Sequence, residues 1–460
     1  MARELYAQVG SLPLICPHGH VSAELLADDQ PFDDPVSLLI SPDHYLTRML
    51  YSQGIDPSLL GVSGRGTAAP VDPVDPVDPR AAWRTFCAHW HLFRGTPSRV
   101  WLEQSLEEVF GVPADLSAAS ADAIYDALLE KLASAAFRPR ALFDSFNIEV
   151  LATTDAATDD LRGHARLAAD GYGRVIPTFR PDQVVDPDNP QWARNVELLG
   201  ALTGEDTSTY VGYLAALRAR RQVFIAAGGA ATDHGHLTAS TADLDHADAA
   251  KLFDRLIRGR GEPGEPELFR AQMLTEFAAM SIDDGLVMQL HPGALRDHVR
   301  YLRQAFGPDS GGDIPITTEY TKGLRPLLSR FGADHRFRLV LYTLDETTYS
   351  RELAPLAGVY PSVYLGSPWW FFDSPEGMRR YRRLTTETAG FYNTVGFTDD
   401  TRALPSIPVR HDVARRLDCG FLAELVVEHR LTLDEAADTA IDMAYRLAKS
   451  GYRLDRFAAA

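Results

Sequence analysis

The sequence is poor in cysteine and lacks long apolar runs. Its 460 residues contain only three cysteines, Cys16, Cys87 and Cys419, which lie far apart and form no CxxC pair. Neither a disulfide framework nor a thiolate zinc site is therefore encoded, and a reducing compartment is expected. No apolar run approaches the roughly 18 residues that span a bilayer, and the first residues lack the apolar core of a signal peptide. The sequence predicts a cytoplasmic protein with no membrane partner.

Positive charge is also in deficit. Forty-five lysines and arginines stand against 63 acidic residues, which gives a formal net charge of −18. This charge repels nucleic acid, so we expect no nucleic-acid partner. With 45% hydrophobic and 23% charged residues, the composition is that of a globular chain. We predict a single domain over residues 1–460, and the sequence leaves open whether it forms a homo-oligomer.

Eight short apolar or β-branched runs, most of them ending in polar side chains, determine the predicted architecture. Stretches with helical periodicity, such as residues 293–306 and 375–392, separate most of these runs. Strands that alternate with helices favour a parallel sheet, and eight such units predict an α/β fold of the (β/α)8 TIM-barrel type. In that fold the active site lies at the carboxyl ends of the strands. The runs cover residues 13–20, 148–155, 174–182, 222–229, 286–291, 338–345, 362–373 and 394–400.

Two connections between the predicted strands are unusually long. The segment after the first run far exceeds one helix, and its periodicity predicts a helical insertion over residues 22–140 that covers the barrel mouth. Within it, the repeat PVDPVDPVDP at residues 70–79 should form an exposed, extended loop, because proline cannot donate to a regular ladder. The length and helical periodicity of residues 230–285 predict a second elaborated connection between strands.

The sequence HGH places two histidines at the end of the first run. His18 and His20 would alternate on a strand, so that both imidazoles face one side and can bind one ion. His291 ends the fifth run, and Asp399 and Asp400 end the eighth, from where a barrel can complete a mixed nitrogen and oxygen site. Zinc or a hard divalent ion accepts such ligands and keeps a position open for water or substrate. A histidine and carboxylate cluster that works without metal is the alternative.

Arginine and tyrosine residues near the predicted barrel mouth indicate the substrate class. Arg180 ends the third run and Arg402 follows the eighth, and arginine binds carboxylates through a bidentate fork. Two such residues favour an anionic substrate, with surface ion pairs as the alternative. In the insertion, His44, Tyr45 and Arg48 place a phenol close to a cation, where it can transfer a proton.

Four consecutive aromatic residues, Trp369 to Phe372, lie in the seventh run. Adjacent residues at a strand end cannot all face the core, so at least one ring should line the pocket. A flat apolar ring face suits the C–H surface of a sugar.

Several of these motifs resemble a known family. HGH, DHYLTR, PTFRPD, VMQLHPGALRD, GSPWWFFD and TDDTR are similar, in the same order, to the motifs of the uronate isomerase (glucuronate isomerase) family of the amidohydrolase superfamily. The resemblance implies a barrel of the metal-dependent hydrolase type, commonly with zinc. It also implies interconversion of aldose and ketose hexuronates, namely D-glucuronate with D-fructuronate and D-galacturonate with D-tagaturonate.

The resemblance assigns roles position by position. His18 and His20 match the first-strand metal ligands, His291 the fifth-strand histidine and Asp400 the eighth-strand aspartate, two residues before Arg402. The other matches concern the substrate and its protons. Arg180 matches the residue that binds the carboxylate, and Arg402 is a second cation. Tyr45 and Asp400 are assigned to proton transfer, with His44 as the polar neighbour of Tyr45. Trp369 or Trp370 is the pocket tryptophan, and His291 is a further substrate contact.

The sequence departs from the family around the insertion. The family usually reads DYHCHL and DHYKWR where this chain has CPHGHV and DHYLTR. We expect isomerisation through a cis-enediol. A metal-dependent hydrolase of a carboxylate-bearing lactone, amide or ester is the first alternative, because the same metal site serves hydrolysis. A non-catalytic sugar-acid binding protein is the second.

Overall fold

Short parallel strands surround the centre of the protein. The computed structural model describes residues 1–63 and 77–457. Neighbouring strands pair in parallel throughout the barrel. After a short break, strands 2 and 3 continue as Asp155–Ala156 and Phe179–Arg180. Barrel strands 1 to 7 are Leu14–Cys16, Ile148–Ala152, Val175–Ile176, Ala231–His234, Val287–Leu290, Leu339–Leu341 and Val363–Leu365.

The eighth position of the barrel is formed by a single parallel bridge between Leu365 and Thr394. The N–H of Val395 donates to the Leu365 carbonyl at 3.0 Å. On its other side, the chain returns to the first strand, where the N–H of His20 donates to the Thr401 carbonyl at 2.9 Å. The (β/α)8 barrel predicted from the sequence is thus confirmed.

Helices connect the successive strands, as alternating periodicity predicts. Most begin at a capping side chain or at a proline in the first turn, where the missing N–H costs nothing. After the eighth strand position, the long helix Ile407–Val427 packs against the N-terminal helix Ala2–Val9. Among the residues that the structure describes, none of the helices has both the length and the apolarity that crossing a bilayer requires. The other main helices between the strands are Arg162–Ala169, Asp182–Val185, Trp192–Thr203, Tyr210–Ala226, His246–Ile257, Glu265–Asp284, Arg300–Phe306, Arg325–Phe331, Ala354–Ala357 and Pro375–Ala389, and Leu433–Ile441 and Leu447–Gly451 end the chain.

The predicted position of the fourth strand is wrong. Residues 222–229 instead complete the helix Tyr210–Ala226 and the turn after it, and the strand is Ala231–His234. Phe224 packs edge-on against Phe179, so the apolar residues of this run bury a helix face. A short apolar run does not distinguish a buried strand from a buried helix, and here the helix that precedes it continues through it.

The segment between strands 1 and 2 is helical where the structure describes it. It carries an apolar cluster of its own, in which Trp83, Phe86 and Phe93 are completely buried. Most of the predicted loop at 70–79 lies outside the described residues, and its last residue, Pro79, begins a helix. The α-helices of this segment are Ala23–Asp28, Pro35–Leu39, His44–Ser52, Pro79–Ala88, Pro97–Gln104, Ala121–Leu132 and Pro139–Ser145.

A buried ion pair joins the two longest helices that flank the fourth strand. Arg221 Nε donates to Asp284 Oδ2 at 2.6 Å, and Nη2 donates to Oδ1 at 2.9 Å and to Ser281 Oγ at 3.0 Å. Arg221 is completely buried and Asp284 nearly so. Removing one partner of such a pair leaves an uncompensated charge in the core.

We therefore expect Arg221→Met to lower the free energy of unfolding by about 3 to 5 kcal/mol. The measurement is urea-induced unfolding followed by circular dichroism. Arg258→Met is the matched control, because Arg258 pairs with Asp254 at 2.6 Å on the exposed surface. That variant should lose about 1 kcal/mol or less. Equal unfolding midpoints for the two variants would contradict the prediction.

Candidate active site

A cavity of about 580 Å³ opens at the carboxyl ends of the barrel strands. Strand ends, the helix His44–Ser52 and the loop after strand 5 all contribute side chains to it. The ten residues to which the family resemblance assigns a role all line this one cavity, whereas Arg48 and Asp399 do not line it. The ten residues are His18, His20, His44, Tyr45, Arg180, His291, Trp369, Trp370, Asp400 and Arg402.

His18 and His20 follow the first strand instead of belonging to it. The strand ends at Cys16, so the predicted alternation of the two histidines on a strand is wrong in detail. Pro17 lacks an N–H and cannot extend the ladder. The imidazoles nevertheless converge, with ring centroids 5.4 Å apart and planes at 87°.

Asp400 completes a compact group of three candidate metal ligands, called here the three-ligand cluster. Its Oδ1 lies 3.2 Å from His20 Nε2 and 3.6 Å from His18 Nε2, and it accepts no hydrogen bond from the described residues. Two ligands bound to one ion at about 2.1 Å and near-tetrahedral angles lie about 3.4 Å apart, so the three atoms fit a divalent ion. Burial opposes ionisation of Asp400, but His20, His18 and the Trp369 indole N–H together hold its pKa well below the usual range.

Asp399 points the other way and is completely buried. Its Oδ2 lies 3.2 Å from His411 Nε2, and the Cys16 sulfur lies 3.6 Å from the same nitrogen. This buried group lies beside the ligand cluster without lining the cavity. Of the two aspartates in TDDTR, the structure therefore places Asp400 in the cavity.

His291 lies beside the three-ligand cluster but outside it. Its ring centroid is 6.2 Å from that of His18, and its Nε2 is 2.8 Å from Asp233 Oδ1. Asp233 also lies 3.4 Å from Arg180 and is completely buried. Burial opposes its charge, but His291, His18 and Arg180 hold its pKa well below the ordinary value. A role for His291 as a metal ligand stays a prediction.

Asp233 is a site residue that the sequence analysis missed. It belongs to the fourth strand, Ala231–His234, which the apolar pattern placed too early in the chain. Correct placement of that strand would have put Asp233 at a carboxyl end, where functional side chains are expected.

The two predicted anion-binding arginines have different surroundings. Arg180 Nε donates to Asp182 Oδ2 at 2.8 Å, so Arg180 faces both Asp182 and Asp233. Burial opposes its charge, but these carboxylates outweigh burial and raise the pKa of Arg180. Arg402 has one ion-pair contact among the described residues, to Asp309 at 3.6 Å. Arg402 therefore has more donors free for a ligand.

The helix His44–Ser52 brings a phenol and an imidazole into the cavity. Asp43 caps it by accepting from the Tyr45 N–H at 2.8 Å. The His44 ring stacks on Tyr45 with centroids 4.8 Å apart. Burial and the charge of Arg402 lower the pKa of His44 to about 3, so this imidazole is neutral at physiological pH. Burial raises the pKa of the Tyr45 phenol well above its ordinary value, so the phenol keeps its proton.

Arg410 is a second cavity residue that the sequence analysis did not single out. Its guanidinium lies 3.9 Å from the Trp101 ring and 5.6 Å from the Tyr45 ring. Arg410 also donates to Asp373 Oδ2 at 2.6 Å. It lies on the helix Ile407–Val427, where no strand-end pattern points to it.

Both tryptophans line the cavity with different partners. Trp369 Nε1 donates to Asp400 Oδ2 at 2.6 Å, which fixes the orientation of that carboxylate. Trp370 lies against His44, with ring centroids 5.4 Å apart, and under the guanidinium of Arg296 at 5.3 Å.

The family model for glucuronate isomerase matches residues 1–452 of the chain. The chain belongs to this family. A uronate isomerase from Rhizorhabdus wittichii is 58% identical over 455 residues, which cover 99% of this chain and 95% of that protein. The crystal structure of glucuronate isomerase from Caulobacter crescentus matches with a TM-score of 0.95 at 53% identity, covering 99% of this chain and 94% of that one. Uronate isomerase from Thermotoga maritima matches with a TM-score of 0.91 at 29% identity, covering 98% and 97%.

The ligand cluster predicts a metal-binding result. We expect the purified protein to bind one divalent ion per chain and Asp400→Asn to weaken that binding at least tenfold, because a neutral amide replaces the only carboxylate of the cluster. Metal content measured by mass spectrometry after dialysis against a chelator checks this. Asp297→Asn, which alters another acid of the same cavity, should retain the ion. Unchanged metal affinity in Asp400→Asn would contradict the prediction.

Proposed function

We propose that this cavity interconverts D-glucuronate with D-fructuronate and D-galacturonate with D-tagaturonate, with zinc held by His18, His20 and Asp400. Membership in the glucuronate isomerase family supports hexuronate isomerisation. One observation carries the location: the three-ligand cluster shares its cavity with the cations that an anionic sugar acid requires. The substrate class is a small sugar acid.

The reaction moves one hydrogen from C2 to C1 and one proton from O2 to O1, so no redox partner is needed. A base removes the C2 proton to give a cis-enediol, and an acid returns a proton to C1. Protonation states support an assignment of these roles. Asp400 is ionised and the Tyr45 phenol is protonated, which are the resting states that a base and an acid require before the transfer. A bound divalent ion supplies Lewis acidity toward the substrate oxygens.

The remaining residues bind and orient the substrate. Arg402 and Arg180 hold the carboxylate, and the neutral His44 offers one hydrogen-bond donor and one acceptor to the sugar. Trp369 keeps one Asp400 oxygen occupied and leaves the other facing the histidines. His291 contacts the substrate beside them, and Trp370 offers a ring to its C–H surface.

The same proposal covers the setting of the enzyme. Residues 22–140 cover the cavity of a single barrel domain; Leu38, Pro42, Asp43, His44 and Tyr45, which line the cavity, support this. A cytoplasmic location accords with three cysteines that are all buried and unpaired.

Isotope exchange tests the reaction. Run in heavy water, isomerisation should place deuterium at C1 of the ketose, because solvent exchanges with the proton carrier. Proton NMR on D-glucuronate and D-galacturonate measures it. Tyr45→Phe, which removes only the phenolic proton donor, should lower turnover by about 10²- to 10⁴-fold.

A hydrolase would behave differently in the same experiment. It has no reason to exchange a C–H bond, and it would instead open a carboxylate-bearing lactone in a metal-dependent way. That result, with no ketose formed from either uronate, would overturn the proposal.

The carboxylate anchors can be tested separately. Arg402→Met and Arg180→Met should each lose about 2 to 5 kcal/mol of transition-state stabilisation, because each removes a cation from a poorly solvated pocket. The loss is measured as a lower kcat/KM for a uronate. Arg303→Met is the control, since Arg303 lines the cavity but pairs with Asp297 at 3.0 Å. The melting temperature of Arg402→Met should stay close to wild type, whereas that of Arg180→Met should fall, because Arg180 also faces the buried Asp233. Near-normal kinetics in both variants would show that these arginines serve only structural ion pairs.

A further inference from the structure

The cavity contains an acid that the proposed reaction does not use. Asp309 lines it with about half of its side chain exposed. Its Oδ1 lies 3.3 Å from Arg296 Nη1 and its Oδ2 lies 3.6 Å from Arg402 Nη2. Burial opposes its charge, but Arg402, Arg296 and Arg180 lower its pKa, so the carboxylate is ionised. An ionised acid repels a uronate carboxylate, so binding of the substrate carboxylate does not explain the presence of Asp309 in this cavity.

The loop that carries Asp309 is held in place. Its base is an antiparallel pair, Ala294–Leu295 with Ile314–Pro315. Near Asp309 the chain turns sharply, and Gly311 has a φ of +85°. A Cβ at Gly311 would lie 2.9 Å from Arg48 Cβ and 3.2 Å from the His44 carbonyl, so the loop lies directly against the helix His44–Ser52.

A second contact joins the helix Arg300–Phe306, which precedes Asp309, to the insertion. Tyr301 donates through its hydroxyl to Asp56 Oδ2 at 2.6 Å, and its ring stacks on Tyr51 with centroids 6.1 Å apart. These contacts fix the backbone around Asp309 from two directions.

Arg296 fixes the carboxylate itself. Its Nη1 donates to the buried Asp313 at 2.7 Å, and its guanidinium lies over Trp370. Asp313 is held in turn by the Asp297 N–H at 2.7 Å. Arg296 is thus anchored on two sides and faces Asp309 at hydrogen-bonding distance.

We propose that Asp309 accepts hydrogen bonds from hydroxyl groups of the substrate and helps select among hexuronates. The inference rests on the proposed placement of the uronate in this cavity. An ionised carboxylate has about four acceptor positions, and two long contacts to arginines leave capacity for hydroxyl donors. Such charge-assisted bonds are stronger than those between neutral groups.

The geometry indicates which hydroxyls Asp309 meets. In an open-chain hexuronate the carboxylate is C6, followed by hydroxyl-bearing C5 and C4, with the reacting C2 and C1 at the far end. A carboxylate bound by Arg402 therefore places the C5 and C4 hydroxyls nearest to Asp309. Glucuronate and galacturonate are epimers at C4, so the two substrates should respond differently to a change at Asp309.

The test is steady-state kinetics of Asp309→Asn and Asp309→Ala on D-glucuronate and D-galacturonate. We expect kcat/KM to fall about tenfold or more, with alanine worse than asparagine, because a charged acceptor of hydrogen bonds from the substrate is lost. The ratio of kcat/KM values for the two epimers should shift at least threefold from the wild-type ratio. Circular dichroism and melting temperature establish that both variants fold.

Two control variants isolate the carboxylate. Asp297→Asn removes a neighbouring acid that pairs with Arg303 and should leave the epimer ratio unchanged. Ser310→Ala removes the hydroxyl that donates to the Gly307 carbonyl at 2.7 Å, which perturbs the loop but keeps Asp309. If Ser310→Ala reproduced the full loss and ratio shift, loop shape would be responsible and the inference would fail.

The sign of the effect separates the remaining outcomes. A lower KM in Asp309→Asn would mean that Asp309 is a counter-ion which the substrate carboxylate displaces, and this would overturn the proposal. If Arg402→Met raised KM while Asp309→Asn matched wild type, the inference alone would fail. If neither variant changed uronate kinetics, the placement of the substrate in this cavity would be wrong as well.

Discussion

The hydrogen bond from the His20 N–H to the Thr401 carbonyl holds together the two ends of the barrel. Strands 1 and 8 form no regular ladder in the described structure, so this contact connects the loops that follow them. It brings His18 and His20, from the start of the chain, beside Asp400, near its end. The proposed metal site and the closure of the fold therefore depend on the same few backbone atoms.

Charge compensation then organises the cavity around that junction. Asp233 lies between His18, His291 and Arg180, and Asp373 lies beside Arg410. Isolated charges in such positions would cost several kcal/mol each, so they persist only as pairs and networks. Arg402 is the exception, because its one described ion-pair contact is long and partly exposed. It is the cation whose pairing a substrate carboxylate can best improve.

The sequence predicted the parts of this arrangement that follow strand ends. The predicted runs end in polar residues that stand out against the apolar residues before them. These polar residues include His18, His20, Arg180, His291 and Asp400. Asp233 was not predicted, because the apolar run taken for its strand belongs mostly to the helix Tyr210–Ala226. Tertiary packing determines whether this run forms a helix or a strand, and the local periodicity of a short apolar run does not distinguish the two.

Arg410 and Asp309 were not predicted as cavity residues for a different reason. Arg410 lies on a helix, and Asp309 lies in a loop between two residues at positive φ, Gly307 and Gly311. Neither position belongs to a strand, and each reaches the cavity only through contacts made by distant segments. Loop geometry of this kind depends on long-range packing that a single sequence does not specify.

The departures from the family pattern in DHYLTR can now be placed in the structure. Leu46 and Thr47 stand where the family usually has lysine and tryptophan, and both are buried without lining the cavity. Leu46 packs into the apolar cluster of the insertion. His44 and Tyr45, which do line the cavity, keep the family's residue types. Because successive residues of a helix point in different directions, substitution on the packing face leaves the cavity face unchanged. This part of the insertion therefore departs from the family pattern on its packing face, while His44 and Tyr45 line the cavity.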